Sequence, residues 1–346
     1  MIFMQTNLFF YFIRRLINAI ITLILLIFIV FSLIHIILPS PQAMAKVYIG
    51  GSHFTQGEID AIIVKYGLNK PIYDQFFTYL TNILRGNFGI DSLYKVPEMY
   101  LLSKFIPITL EFVIVAIIIQ VLLGLFTGSV AARWRNRVPD WLIKVLYLIA
   151  WAMPVFLLAT LLQFVFAYYT KVLPPFNIAN PLLVPPKPIT GFPLIDAAIE
   201  GDWGYFDSVL THMVLPVLAI AFAGFGITTR IMRASTVDVL DKDYVKLAYM
   251  KGLSGWKVFR GTVFRNSMIP IITLTALQFG FAIAGAVVIE EIFIYKGMGF
   301  FLYQSTVSLD YVAILSTTLI IGISVIIANF VADILYAVVD PRVRLD

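Results

Sequence analysis

Six stretches of this chain are each long and apolar enough to cross a bilayer as a helix: 10–38, 107–132, 141–169, 209–229, 267–289 and 311–339. A hydrocarbon core about 30 Å thick takes about 20 apolar residues at helical rise. In lipid every backbone N–H and C=O must find a partner inside the protein, so an isolated apolar stretch has only the helix available to it. Composition agrees. Of 346 residues, 60% are hydrophobic and 13% charged, against about 45–50% and about 25% in soluble domains. The chain therefore reads as an all-α polytopic membrane protein with six transmembrane helices. Soluble-enzyme, nucleic-acid-binding and disordered classes drop out. With no cysteine and only His35, His53 and His212, the chain has no disulfides, thiolate metal sites or iron–sulfur clusters, and a His-built metal site is not expected.

The first stretch is too long for a signal peptide, and no small-residue cleavage site closes it, so a retained anchor is expected. Sixteen of the 25 Lys and Arg fall in one alternate set of segments. They are Arg14 and Arg15; Arg133, Arg135, Arg137 and Lys144; eight from Arg230 to Arg265; and Arg342 and Arg344. The positive-inside rule then places both termini in the cytoplasm of a cell-membrane protein. The organisation that follows is an N-terminal tail and first span (1–38), an outer loop domain (39–106) and a core of five spans (107–346). The core carries a Pro-rich outer loop at 170–208 and a cytoplasmic loop at 230–267.

Inside the spans, Gly124 and Gly128 form a G-x-x-x-G, and Ala276, Gly280 and Ala284 repeat small residues every four. Such faces let helices approach closely, either within one chain or between two. Pro154 and Pro216 are expected to kink their helices. Glu111 and Asp333 lie near span ends, where a carboxylate reaches water cheaply. No Asp, Glu, Lys or Arg is placed at mid-membrane, as ion-driven carriers often require. Gln120, Gln163, Gln278 and Asn329 either line a wet pathway or bond across helices.

The outer loop reads as helices. Thr55 and Glu58 form a capping box, Gly67 closes that helix, Pro71 opens a second, and Arg85-Gly86 ends it. Seven prolines predict that 170–208 is extended and stiff. The loop at 230–267 predicts a helix over 238–250, a left-handed turn at Gly252, and a second helix N-capped by Ser254 and carrying Trp256, Val258, Phe259, Val263 and Phe264. Its basic residues satisfy the positive-inside rule, meet anionic lipid, or surround an element that docks into a partner. Physics alone leaves all three open.

The residues themselves carry a resemblance. Asp243-Tyr244-Val245-Lys246-Leu247-Ala248-Tyr249-Met250-Lys251-Gly252-Leu253, then Arg265-Asn266-Ser267-Met268-Ile269-Pro270, resembles the EAA loop of ABC importer permeases, specifically the dipeptide/oligopeptide family. Tyr66-Gly67-Leu68-Asn69-Lys70-Pro71, Gly86-Asn87-Phe88-Gly89, Met153-Pro154-Val155-Phe156, Val288-Ile289-Glu290-Glu291-Ile292-Phe293 and Asp340-Pro341-Arg342-Val343-Arg344 extend it along the chain. Departures lie on the outer side: Pro39-Ser40-Pro41 for Pro-Gly-Asp-Pro, Asn87 for Asp, and Lys296-Gly297 for Pro-Gly.

The resemblance implies a type I importer permease fold with a helical outer domain and a cytoplasmic coupling helix. It implies a second homologous permease, two cytoplasmic ATPases, an external substrate-binding protein and a lipid bilayer as partners, and no nucleic acid. It implies that Tyr244, Ala248 and Leu253 face an ATPase cleft, that Gly252 sets the turn, and that Asp243 and Lys251 make polar contacts at its edge. The chain has no G-x-x-x-x-G-K-[ST] run, so it is expected to need no cofactor, with ATP bound by partner subunits. The expected function is the transmembrane pathway of an ATP-driven importer for peptides or oligosaccharides, with nickel a further cargo among relatives. A stand-alone channel or ion-coupled carrier is the alternative, marked by an intramembrane charge or an inverted repeat. An intramembrane enzyme would need paired carboxylates or a Ser/Lys dyad, and the spans present neither. Glu290 and Glu291 read as outer-mouth groups, meeting cationic cargo, an interface or the binding protein.

Overall fold

The computed structural model describes residues 2–49 and 55–339, with side chains described over 13–49 and 55–331. The motif Asp340-Pro341-Arg342-Val343-Arg344, His53 and the side chain of Asp333 lie outside these residues. Helix α1 spans Ile2–Ile37. The outer domain follows as α2 (Pro41–Ile49), α3 (Gln56–Tyr66) and α4 (Ile72–Leu84). The Thr55–Glu58 capping box forms, and its hydrogen bonds from Thr55 hold the Glu58 carboxyl below its ordinary value. Gly67 closes α3 at φ 63°, and Arg85 caps α4. The sequence reading did not anticipate α2, a helix of nine residues seated by buried Met44 and Ala45.

Phe31 and Phe76 pack edge-on at 5.5 Å, and His35 Nε2 pairs with Gln75 Oε1 at 3.1 Å. These contacts press the outer domain onto α1. On its other side Asp310 accepts from the backbone N–H and the hydroxyl of Ser92, and Ser316 donates to buried Glu98 at 2.7 Å. Burial pushes the nearby Asp91 carboxyl up.

Helix α5 spans Glu98–Arg133. The expected third span is broken, not merely kinked. Helices α6 (Val138–Ala152) and α7 (Val155–Gln163, continued by a π-turn to Tyr169) meet at 103°. Pro154 supplies no N–H and drives Met153 to ψ 130°, so no helical bond crosses the joint. The Pro-rich loop is irregular only to Phe192. Pro193 then opens α8 (Pro193–Glu200), because proline suits a first helical turn. The expectation of an extended segment throughout 170–208 is corrected accordingly.

Asp202 caps α9, which runs unbroken through Pro216 from Trp203 to Leu240. The remaining elements are α10 (Asp243–Met250), α11 (Gly255–Val258), α12 (Phe264–Ser267), α13 (Ile269–Ile292), α14 (Met298–Val307) and α15 (Tyr311–Val339). Five described helices are long and apolar enough to span a membrane, and the bent pair α6–α7 passes the same test when its two halves are counted as one span.

Helices α5 and α9 run parallel and form the central pair. A Cβ on Gly124 would lie 2.4 Å from Thr228, and one on Gly128 would lie 2.6 Å from Met232. Thr127 and Thr229 share a hydroxyl hydrogen bond of 2.7 Å across the seam. The G-x-x-x-G is therefore occupied within the chain. Gly280 meets Val325 of α15 in the same way, at 3.2 Å. Filling the central seam costs about 1–3 kcal/mol of overpacking. Gly128→Leu is expected to lower the detergent-solubilised unfolding temperature by several degrees, while Gly57→Ala, at a site open around its Cβ, leaves it unchanged.

Candidate functional site

The C-terminal ends of α5 and α9 share one face of the molecule, which carries Arg133, Arg135, Arg137, Lys242, Lys246 and Lys251 and is here termed the basic face. Helix α9 ends there at a cap on Asp241, and Lys242 turns extended with ψ 146°. The helix expected over 238–250 is thus split, with its first residues belonging to α9. An eight-residue helix is unstable alone in water, so α10 is held by packing. Fully buried Val245 meets Val239, Val258 and Val263, with Ala248 and Phe259 against them.

A Schellman turn closes α10. Leu253 N–H reaches Ala248 O at 3.4 Å, Gly252 N–H reaches Tyr249 O at 2.9 Å, and Gly252 sits at φ +75°. Ser254 takes the cap position of α11 through its backbone, and its hydroxyl makes no capping bond. A π-turn over Phe259–Val263 joins α11 to α12.

The residues singled out in the sequence divide by side. Tyr244 and Leu253 are exposed. Ala248 is half-buried on the small core, since 245 and 248 share the inner helical face. Asp243 is exposed and pairs with Lys246 at 3.0 Å, an arrangement worth little to stability. Lys251 caps the helix by donating its N–H to Leu247 O at 3.0 Å. Sequence reasoning gave no contact role to Leu247, Tyr249 and Met250 of α10, all exposed, with Met250 83% exposed. The wheel that puts Val245 and Ala248 inside puts Leu247 and Met250 outside and Tyr244 and Tyr249 on the two flanks, so the signal was available. Large apolar side chains are thus concentrated and exposed on a basic tip, the kind of patch that marks an interaction surface.

Asp140 ties α6 to the end of α9 from which this tip follows. It is fully buried at the start of α6 and takes a two-pronged bond from Arg233 of α9, at 2.7 and 2.8 Å. Lys144 and the N–H of Asn136 complete its shell. Forked arginine–carboxylate bonds fix geometry as well as charge. Asp140 and Arg233 lie 93 residues apart, so nothing local in the sequence announces the pair.

A cleft of about 170 Å³ lies between α5, α7, α9 and α13, lined by Gln120, Gly224, Gln278, Phe281 and Gly285. Gln278 Nε2 reaches Gly224 O at 3.4 Å. Beside the cleft α13 exposes Leu277, Phe281, Ala284 and Val288 on one face, with Phe281 77% exposed. Gln163 bonds across elements, to Pro175 O and Ile292 O.

The carboxylates expected near water are used internally. Glu111 accepts from Leu194 N–H at 3.0 Å and holds α8. Glu290 is fully buried, not an open outer-mouth group. It accepts from Thr109 and from Phe300 N–H, and so folds α14 back onto α13.

The family described as "Binding-protein-dependent transport system inner membrane component" matches residues 120–345, and its N-terminal counterpart matches residues 8–94. The chain is 32% identical to the glutathione transport system permease protein GsiC of Escherichia coli K12, over 96% of this chain and 98% of that one. It is 30% identical to the dipeptide transport system permease protein DppB of the same strain, over 96% and 97%. It is 31% identical to that strain's probable D,D-dipeptide transport system permease protein DdpB, over 91% and 92%.

A left-handed conformation costs a residue with a Cβ about 1–2 kcal/mol, and the space around Gly252 is open. Gly252→Val is therefore expected to loosen α10 through backbone strain alone. Amides of residues 245–253 should exchange about tenfold faster than in the parent, and Gly252→Asn should recover much of the protection.

Proposed function

The chain belongs to the binding-protein-dependent transport system inner membrane components, and on that premise we propose how its two working surfaces are used. It is a multi-pass permease, the transmembrane pathway subunit of an ATP-driven importer and not the catalytic component. In our reading the basic face is cytoplasmic with both termini, as the bias of sixteen among 25 Lys and Arg favours. Two ATPase subunits, which bind the ATP, receive α10. Tyr244, Leu247, Met250 and Leu253 enter their surface, Asp243 and Lys251 meet its polar rim, and Gly252 and Ala248 shape the helix from behind.

The observation that carries this is the exposed apolar tip built on a core of four valines at the basic end of α9. Displacement of α10 on ATP-driven closure then passes along α9 and, through Asp140–Arg233, to α6. This reorients the cleft between inward and outward access. A second homologous permease covers the open α13 face around Phe281, and the two together enclose the pathway. An external binding protein delivers cargo to the opposite side.

The cargo in this reading is a short peptide. It is supported by the relatives, which are named for D,D-dipeptide, dipeptide and glutathione transport. An ion-coupled carrier is disfavoured, because Glu98, Glu111 and Glu290 each accept a hydrogen bond that ties two elements together, from Ser316, Leu194 and Thr109.

The test is reconstitution of the tagged chain with its partner subunits and binding protein. ATPase stimulation is read across dipeptides, glutathione, oligosaccharides and nickel. Stimulation by short peptides is expected. Stimulation by sugar or metal alone would replace the cargo, and transport by the chain alone without ATP would overturn the reading. Met250→Glu with Tyr244→Glu is expected to reduce ATPase retention on the tagged chain by about thirtyfold, equivalent to losing one interface anchor of about 2 kcal/mol.

A further inference from the structure

A groove on the basic face is used by neither the α10 tip nor the cleft. It lies between the last three turns of α5 and the segment from α11 to α12, and measures about 510 Å³. Its walls are apolar: Leu122 and Phe126 from α5, with Phe259 and Phe264 facing them. Phe126 is 70% exposed. Its basic end is different, with Arg133 and Arg260 standing there beside Trp134 and Trp256. Arg133 lies over the Trp134 ring at 5.4 Å, and Trp256 stacks on Phe259 at 6.2 Å. Among the described residues no carboxylate pairs with either guanidinium.

We propose that this groove binds an anionic phospholipid, with its phosphate on Arg133 and Arg260 and an acyl chain along Leu122 and Phe126. Three features select this occupant. From residue 122 to 133 a helix rises about 16 Å, close to half of the roughly 30 Å hydrocarbon core, so the groove has the length of one leaflet. The guanidiniums sit at one end only, where two planar forks suit a phosphodiester. The tryptophans mark the depth of the headgroups. A lipid there would bridge α5 to the segment that carries α10, and so place the docking tip under the influence of membrane charge. The leaflet rests on the orientation proposed above. The binding itself does not.

The test uses the full chain in phosphatidylcholine vesicles, with a small fraction of phosphatidylglycerol or phosphatidylcholine bearing a photoactivatable acyl chain. Both leaflets carry probe, so the result is independent of orientation. Labelled peptides are mapped by mass spectrometry, with the chain alone and in complex with its partner subunits. The phosphatidylglycerol probe is expected to label residues 122–126 or 259–264 about fivefold or more over the phosphatidylcholine probe, the discrimination one guanidinium gives at a membrane surface. Arg133→Gln with Arg260→Gln should remove that preference, and Arg133→Lys with Arg260→Lys, which keeps both charges, should retain it. Equal labelling by the two probes would overturn the proposal. So would unchanged preference in the glutamine variant, or loss of labelling in the complex, which would mean that protein covers the groove. Should the glutamine variant fail to fold, the preference of the parent chain between the two probes still decides.

Discussion

Helices in lipid gain nothing from the hydrophobic effect by touching one another, so the structure depends on how closely α5 and α9 approach. The absent side chains of Gly124 and Gly128 let Thr228, Thr229 and Met232 come within a methyl group's width of the α5 backbone. At that separation dispersion contacts and the Thr127–Thr229 hydrogen bond do the work that water exclusion does in a soluble core. The other spans are arranged around this seam. The broken α6–α7 pair and α13 pack on α9 and α5, while α15 holds α1 and the outer domain through Gly322, Phe31 and Asp310.

The charged groups of the spans follow a common pattern. Glu98, Glu290 and Asp140 are buried near helix ends and Glu111 is buried within α5, and each accepts a hydrogen bond from another element. Buried carboxylates are costly unless their lone pairs are used. Here they tie α5 to α15, α8 to α5, α14 to α13, and α6 to α9. The two surfaces assigned work in the proposed reading lack such fastening. These are the α10 tip and the α13 face, and both leave apolar side chains without partners in the chain.

Local signals were legible in the sequence because their causes are local. Thr55 and Glu58, Gly67, Pro71 and Gly252 each act within four residues, and each does in the structure what its chemistry requires. The apolar runs marked the spans for the same reason. What was not legible depends on partners far along the chain. Pro154 announced a disturbance, but the surrounding packing opened it to 103°. Glu290 read as an outer-mouth acid because Thr109 lies 181 residues away. Gln163 stays inside by reaching two distant carbonyls. At the α10 loop the helix and its turn were legible, and the side each residue faces follows from Val245 once the valine core is known.

Helix α9 carries one further implication. Its 38 residues make a rod of about 57 Å at about 1.5 Å per residue. The glycine seam meets it from Thr228 to Met232, beyond two-thirds of its length, Arg233 follows directly, and Val239 stands at its end. All three contacts are registered to one another by helical phase. Inserting or deleting a single residue between them would turn everything beyond by about 100°. The Arg233 fork would swing away from Asp140, and the valine core would lose its first member, with no side chain altered. Relatives of this chain should therefore tolerate substitutions along α9 far more readily than changes in its length. Its residue count is a spacing constraint, as the number of teeth is in a gear.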